Sequence, residues 1–172
     1  MTANTQTQRS AVPDGLAELE HRRDLLSAAD LERAQREWSL ISPLLASRAA
    51  FESAFPDAGI QTIHGDAPFH DMISTADGEK WSDFELVTSG PVESDVAMTG
   101  PEGVAAYGEA AARLGLRPLD ERLLRVMESA GLLAVFACLA MAPHLPMLVD
   151  GVKPVVDQWR AAPSIAEAVQ KD

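Results

Sequence analysis

The longest uninterrupted apolar stretch of the chain, Leu132 to Ala142, sets the first limit on what it can fold into. The stretch is far short of the roughly 20 residues that a membrane helix needs, so it is expected as the end of a buried helix. Upstream of it, Leu119, Leu123, Val126, Ala130 and Leu133 recur at the spacing of one helical face. A helix opening near Pro118 and becoming apolar all round should therefore form the centre of the core. Pro143 and Pro146 break it. Leu145 to Trp159 is expected as a last helix, bent at Gly151 or Pro154, because a proline inside a helix removes a donor and crowds the preceding turn.

Other helices announce themselves by caps and spacing. Gly15 to Ser27 carries Leu16, Leu19 and Leu25 among charged residues, the pattern of a surface helix. A second helix should start between Ser27 and Asp30, where small polar side chains can accept free first-turn N–H groups, and run to Ile41. Ser42 and Pro43 read as a cap and first helical residue of a third, Pro43 to Phe55, which Pro56, Asp57 and Gly59 end. Thr99 and Glu102 have capping-box spacing, Pro101 favours a helix start, and Gly115 supplies a stop. Between them Val104, Tyr107, Ala111 and Leu114 share a helical stripe. Ile60 to His64 is a short β-like run. Met72 to Thr75 and Lys80 to Asp83 flank Asp77-Gly78, a dipeptide suited to a tight hairpin turn. The expected fold class is thus mainly α with a small β-hairpin (α+β), one domain over 14–162 with loose tails at 1–13 and 163–172. Phe84, between two acids, is expected in the core, and Trp81 and Trp159 as packing residues.

Composition narrows the partners. At 172 residues, with 47% hydrophobic and 23% charged, the chain can bury one core and has no room for two. A formal charge of -12 repels a phosphate backbone, so nucleic acid is not an expected partner; cationic small molecules or metal ions suit that field better. The single cysteine, Cys138, cannot form an internal disulfide. With no leader pattern at the start of the sequence, a cytoplasmic location and no membrane partner are expected.

The densest polar cluster is His64-Gly65-Asp66-Ala67-Pro68-Phe69-His70-Asp71, and Asp83-Phe84-Glu85 follows it twelve residues later, then Gly90-Pro91-Val92-Glu93-Ser94-Asp95-Val96-Ala97. A hairpin returns the chain close to its start, so Asp71 before one strand and Asp83 after the other can converge. Two close carboxylates repel unless a cation lies between them, and hard oxygen donors suit magnesium. Asp66 would stand nearby, placed to accept or orient a hydroxyl proton.

These three ordered motifs, His64-Gly65-Asp66, Asp83-Phe84-Glu85 and Gly90-Pro91-x-Glu93-x-Asp95-x-Ala97, resemble the aminoglycoside phosphotransferase family, within the group that includes choline kinases. The likeness covers roughly Gln61 to Trp159 and implies the C-terminal lobe of a protein-kinase-like phosphotransferase fold. It further implies that Asp66 is the catalytic residue, that Asp71 and Asp83 bind magnesium, that ATP is the phosphoryl donor, and that the acceptor is a small-molecule hydroxyl. His64 would hold the turn, and Asp95 would be a helix-start or loop anchor, not a substrate contact. The acceptor would sit between the loop and the helices from Pro118 to Trp159, and the acidic charge favours a cationic one such as an aminosugar.

Departures from the family are as informative. Position 71 usually carries Asn, and Asp there adds charge beside the metal; Ser94 stands where a bulky aromatic is common. A glycine-rich loop and a strand lysine should precede the catalytic loop. Here Lys80, Lys153 and Lys171 all follow Asp66, and before His64 the only glycines are Gly15 and Gly59. The chain then reads as a lobe without its nucleotide clamp, weak or inactive alone, or completed by a second chain. Two further readings stay open. One is a non-catalytic binding module built on that fold. The other is a metal-dependent HD-type hydrolase, with His70 and Asp71 joined by His64 and Asp83.

Overall fold

A computed structural model describes residues 12–66 and 72–169, a mainly helical α+β arrangement with two small antiparallel sheets. Helix α1 covers 12–19, and the chain then turns into α2 (Ala28–Ile41). The cap of α2 follows from its chemistry. The Ser27 hydroxyl accepts the Asp30 N–H at 3.2 Å while the Asp30 carboxylate accepts the Ser27 N–H at 3.0 Å, so two otherwise orphaned donors are satisfied reciprocally.

Three expectations about this end of the chain are corrected. The first helix is shorter than Gly15–Ser27 and begins earlier, with Val12 only 2% exposed in the core, so the packed domain includes part of the stretch assigned to a tail at 1–13. Gly15 explains the packing: a Cβ there would stand 2.6 Å from Ala137 Cβ, so only glycine lets α1 lie against the far end of the core helix. The third helix, α3 (Arg48–Ala54), starts at Ser47, whose hydroxyl accepts the Ala50 N–H at 3.0 Å. Ser42 instead closes α2, donating its N–H to Trp38 O at 2.8 Å. The intervening turn lays Leu44 and Leu45 on the core before the helix restarts.

Two β pairs follow. Strand β1 (Ile60–Ile63) pairs antiparallel with β4 (Thr88–Pro91), Ile60 facing Pro91 and Ile63 facing Thr88. Nested between them, β2 (Met72–Thr75) and β3 (Gly78–Trp81) form the expected hairpin, with Met72 opposite Trp81. The positive φ of the turn falls on Gly78 alone, at 102°, where the missing Cβ removes the steric cost. The β1–β4 pair is an addition to the single hairpin expected.

Past a short α4 (Glu93–Val96), α5 (Gly100–Leu114) has Pro101 in its first turn and Gly115 at φ 64° as its stop. The Thr99–Glu102 capping box does not form. Thr99 already has helical backbone, and its hydroxyl donates to the Val96 carbonyl at 2.7 Å. Leu114, expected on a buried stripe, is 72% exposed, because the face of α5 that meets the rest of the molecule ends at Ala111.

Helix α6 (Glu121–Cys138) is the central element, with Asp120 capping it by accepting the Leu123 N–H at 2.9 Å. Leu123, Val126, Leu133 and Phe136 are fully buried. The segment Glu121–Met141 is long and apolar enough by length and composition to cross a membrane; here it packs against α2, α4, α7 (Met147–Ala161) and α8 (Ala166–Val169). Pro154 lies inside α7, as its position requires. Ile165, assigned to a loose tail at 163–172, is 4% exposed in the core, and α8 packs on α6 and α2.

Charges tie α2 to α7. The Trp159 indole N–H donates to Glu37 Oε2 at 2.8 Å, the Arg33 guanidinium donates to Glu37 Oε1 at 3.0 Å and stacks over the Trp159 ring at 4.3 Å. Glu37 is 2% exposed, a depth at which a carboxylate needs such partners. Trp159 is therefore a packing residue, as expected, with a polar edge that is satisfied.

Candidate functional site

The loop after β1 is held by a residue more than one sheet away in sequence. The Asp95 carboxylate, on α4, accepts the His64 backbone N–H at 2.8 Å and the Gly65 backbone N–H at 3.0 Å. Charge-assisted bonds of this kind are about twice as strong as neutral ones. Asp95 thus anchors the loop on which Asp66 stands. Gly65 has φ 89°, and a Cβ there would strike the Leu86 carbonyl, so the loop backbone passes directly over the turn that follows Asp83.

His64 makes the second tie. Its imidazole Nε2 lies 2.8 Å from the Ser82 carbonyl; a carbonyl only accepts, so Nε2 carries the proton. The ring packs against Trp81 and Phe84, each at 5.3 Å between centroids. Nδ1 is buried and, among the described residues, has no hydrogen-bond partner. His64 is therefore structural, as its place at a strand end suggests. Phe84 is not a core residue: it is 59% exposed and Trp81 is 44% exposed, the two rings covering the imidazole from outside.

Asp83 sits between Ser82 and Phe84 with φ 56° and ψ 58°, the one non-glycine residue with positive φ among those described. Such a conformation costs an L-residue about 1–2 kcal/mol, least for Asp and Asn, and persists where surrounding contacts fix it. The His64–Ser82 bond on one side and the Phe84–Leu86 turn on the other provide those contacts. The segment His64-Gly65-Asp66 thereby meets both flanks of Asp83-Phe84-Glu85, by a hydrogen bond to Ser82 and close backbone approach to Leu86, and touches the motif itself through the Phe84 ring.

Asp66 is exposed and stands at the edge of a cleft of about 390 Å³. The cleft lies between α3, the β1–β4 pair and one side of α6, which supplies Met127, Ala130, Gly131, Ala134, Val135 and Cys138. Asp83 does not line it. Asp71 and His70 lie outside the described residues, so the convergence expected of Asp71 and Asp83 has no described counterpart. Among the described residues no group of three His, Cys, Asp or Glu side chains could hold a metal ion.

The third motif carries a buried ion pair that spacing alone did not reveal. Glu93, fully buried, receives the Arg117 guanidinium in a two-pronged contact, both N–O distances 2.8 Å, and accepts the Asp120 N–H at 2.9 Å. The Glu93 carboxylate raises the Arg117 pKa further above its ordinary value, mainly through this bond. One acidic residue thus joins α4 to the start of α6. The cleft walls Phe51, Met98 and Met127 were equally unmarked in the sequence. Comparison with protein-family models, curated proteins and solved structures finds no match for this chain.

Proposed function

We propose that this chain is the larger lobe of a small-molecule phosphotransferase of the aminoglycoside phosphotransferase type. What supports the reading most is the clasp of Asp95 on the His64 and Gly65 amides together with the His64–Ser82 bond. Those contacts tie the first motif to the third and to the residue just before the second, whose Phe84 ring packs on the His64 imidazole. In that reading Asp66 accepts the proton of an acceptor hydroxyl as its oxygen bonds to the terminal phosphorus of ATP and the bond to the departing ADP oxygen breaks. Asp83, with Asp71, would hold magnesium. Oxygen donors of this kind fit that ion, and it would neutralise phosphate charge.

The clamp for the nucleotide is a separate matter. No lysine precedes Asp66 and no glycine-rich loop precedes His64, so phosphate binding would fall to another segment or a second chain. A second reading, a binding module that keeps the fold without phosphoryl transfer, is favoured by Asp83 standing outside the cleft that Asp66 lines. Calorimetry with magnesium-ATP separates the two. A heat that vanishes in Asp83→Ala is the result expected of the phosphotransferase; no heat at millimolar ATP would leave the binding module.

A further inference from the structure

We infer that the cleft beside Asp66 takes a small alcohol with an aliphatic or aromatic body, its hydroxyl at the Asp66 end, and not an amino sugar. The inference rests on the phosphotransferase reading only for what happens to the hydroxyl; the binding itself rests on the cleft. A volume of about 390 Å³ falls in the range of roughly 300–1,000 Å³ typical of small-molecule pockets.

Its walls decide the chemistry. Phe51 comes from α3, Ile63 from β1, Met98 from the turn before α5, and Met127, Ala134 and Val135 from α6. An amino sugar buried there would lose water at several hydroxyl and ammonium groups, each needing a partner. Among the described residues the charged side chains lining the cleft besides Asp66 are Arg48 and Glu52, which bind each other at 2.7 Å, and Thr88 and Ser89 add two hydroxyls. The Ser94 hydroxyl lies toward the Met127 sulfur at 3.8 Å. The walls therefore reward an apolar body, and Asp66 marks where its hydroxyl would sit. The space is also kept open by the sequence. A Cβ at Gly131 would meet Met98 Sδ at 2.8 Å, so glycine allows the methionine to lie flat against α6.

Cys138 lines the same cleft and is the only cysteine of the chain, which gives a readout independent of phosphoryl transfer. Maleimide labelling of Cys138 in the full chain is followed with benzyl alcohol, toluene or glucosamine at equal concentration. Benzyl alcohol is expected to slow labelling at least fivefold and toluene clearly less. Glucosamine should leave the rate unchanged. Asp66→Ala should remove the advantage of benzyl alcohol over toluene, and Ala134→Trp, checked by circular dichroism for an intact helical signal, should remove all protection. Saturation-transfer NMR on the benzyl alcohol protons, with the wild-type and Ala134→Trp chains, gives the same comparison without labelling. Protection by glucosamine, equal effects of toluene and benzyl alcohol, or no binding in either measurement would overturn the inference. Failure of the phosphotransferase reading has a different signature: benzyl alcohol binds as described, yet magnesium-ATP gives no heat.

Discussion

Asp95 and His64 are separated by thirty-one positions in the chain, yet the carboxylate of the first accepts the backbone N–H of the second at 2.8 Å. Through that bond and its twin to Gly65, helix α4 dictates the path of the loop that presents Asp66. The position of the candidate catalytic group thus depends on a side chain that never reaches the cleft.

Replacing Asp95 by Ala should therefore loosen the loop before it unfolds the protein. Two partly buried amides lose their acceptor, a loss of about 1–3 kcal/mol for an unsatisfied donor, reduced here by access to water. Urea unfolding should show a loss of about 1–2 kcal/mol. Hydrogen exchange at the Gly65 amide should quicken at least tenfold, and an unchanged exchange rate would show that the carboxylate does not hold the loop.

For Glu93 and Arg117 the pair, not either member, is the unit. Arg117→Leu leaves a buried carboxylate without its partner, expected to cost about 3 kcal/mol. Combining it with Glu93→Leu removes the stranded charge, so the double variant should be less destabilised than Arg117→Leu alone. Simple additivity in chemical denaturation would contradict the coupling.

Acid should weaken the link between α2 and α7. Hydrogen bonding from Arg160, then from Ser27, holds the Asp30 carboxyl at about 2, below its ordinary 3.8. A carboxyl whose folded pKa is depressed stabilises the fold above the unfolded pKa, and that contribution disappears as pH falls from 3.8 through about 2. The Arg160 side chain is 44% exposed, so solvent screening reduces the contribution to roughly 1–2 kcal/mol. Asp30→Asn should flatten this part of the stability-against-pH curve, measured by denaturant unfolding at each pH. An unchanged slope would show that another carboxyl carries it.

Stability and chemistry should part company at Asp83. Glycine adopts φ 56° without strain but adds freedom to the unfolded chain, so Asp83→Gly is expected to change stability by no more than about 1 kcal/mol. Asp83→Val, a branched residue in the same conformation, should destabilise by about 1–2 kcal/mol. Both should abolish any magnesium-dependent nucleotide heat. A glycine variant destabilised as much as Asp83→Val would mean that the carboxylate itself supports the turn.

What could be read beforehand is what is encoded locally. The Ser27–Asp30 cap, the stripe of Leu123, Val126 and Leu133, the stop at Gly115 and the turn at Gly78 each depend on residues a few positions apart. The pairing of Ile60–Ile63 with Thr88–Pro91 does not. Its second strand contains Gly90 and Pro91, poor strand formers, and exists because the partner strand and α4 hold it. Ser42 and Ser47 are equally good caps by type. Only the packing of Leu44 and Leu45 decides between them. At the site, the motifs pointed to Asp66 and Asp83, His64 was legible as a loop support, and for Asp95 a helix start and a loop anchor were equally legible. The contact of Asp95 with backbone amides leaves no trace in residue identity at 64 or 65, since every non-proline residue carries an N–H. Phe51, Met98 and Met127 escaped notice because a cavity wall assembled from three segments has no sequence pattern of its own.

Helix α6 faces two ways. Leu123, Val126, Leu133 and Phe136 fill the interior on one side, while Met127, Ala134 and Val135 border open space on the other. Whatever fills that space presses on the same backbone that organises the core, so occupancy and global unfolding are thermodynamically linked. A ligand at a hundred times its dissociation constant would add about 2.7 kcal/mol, and thermal melting would then register a guest even when no turnover can be seen.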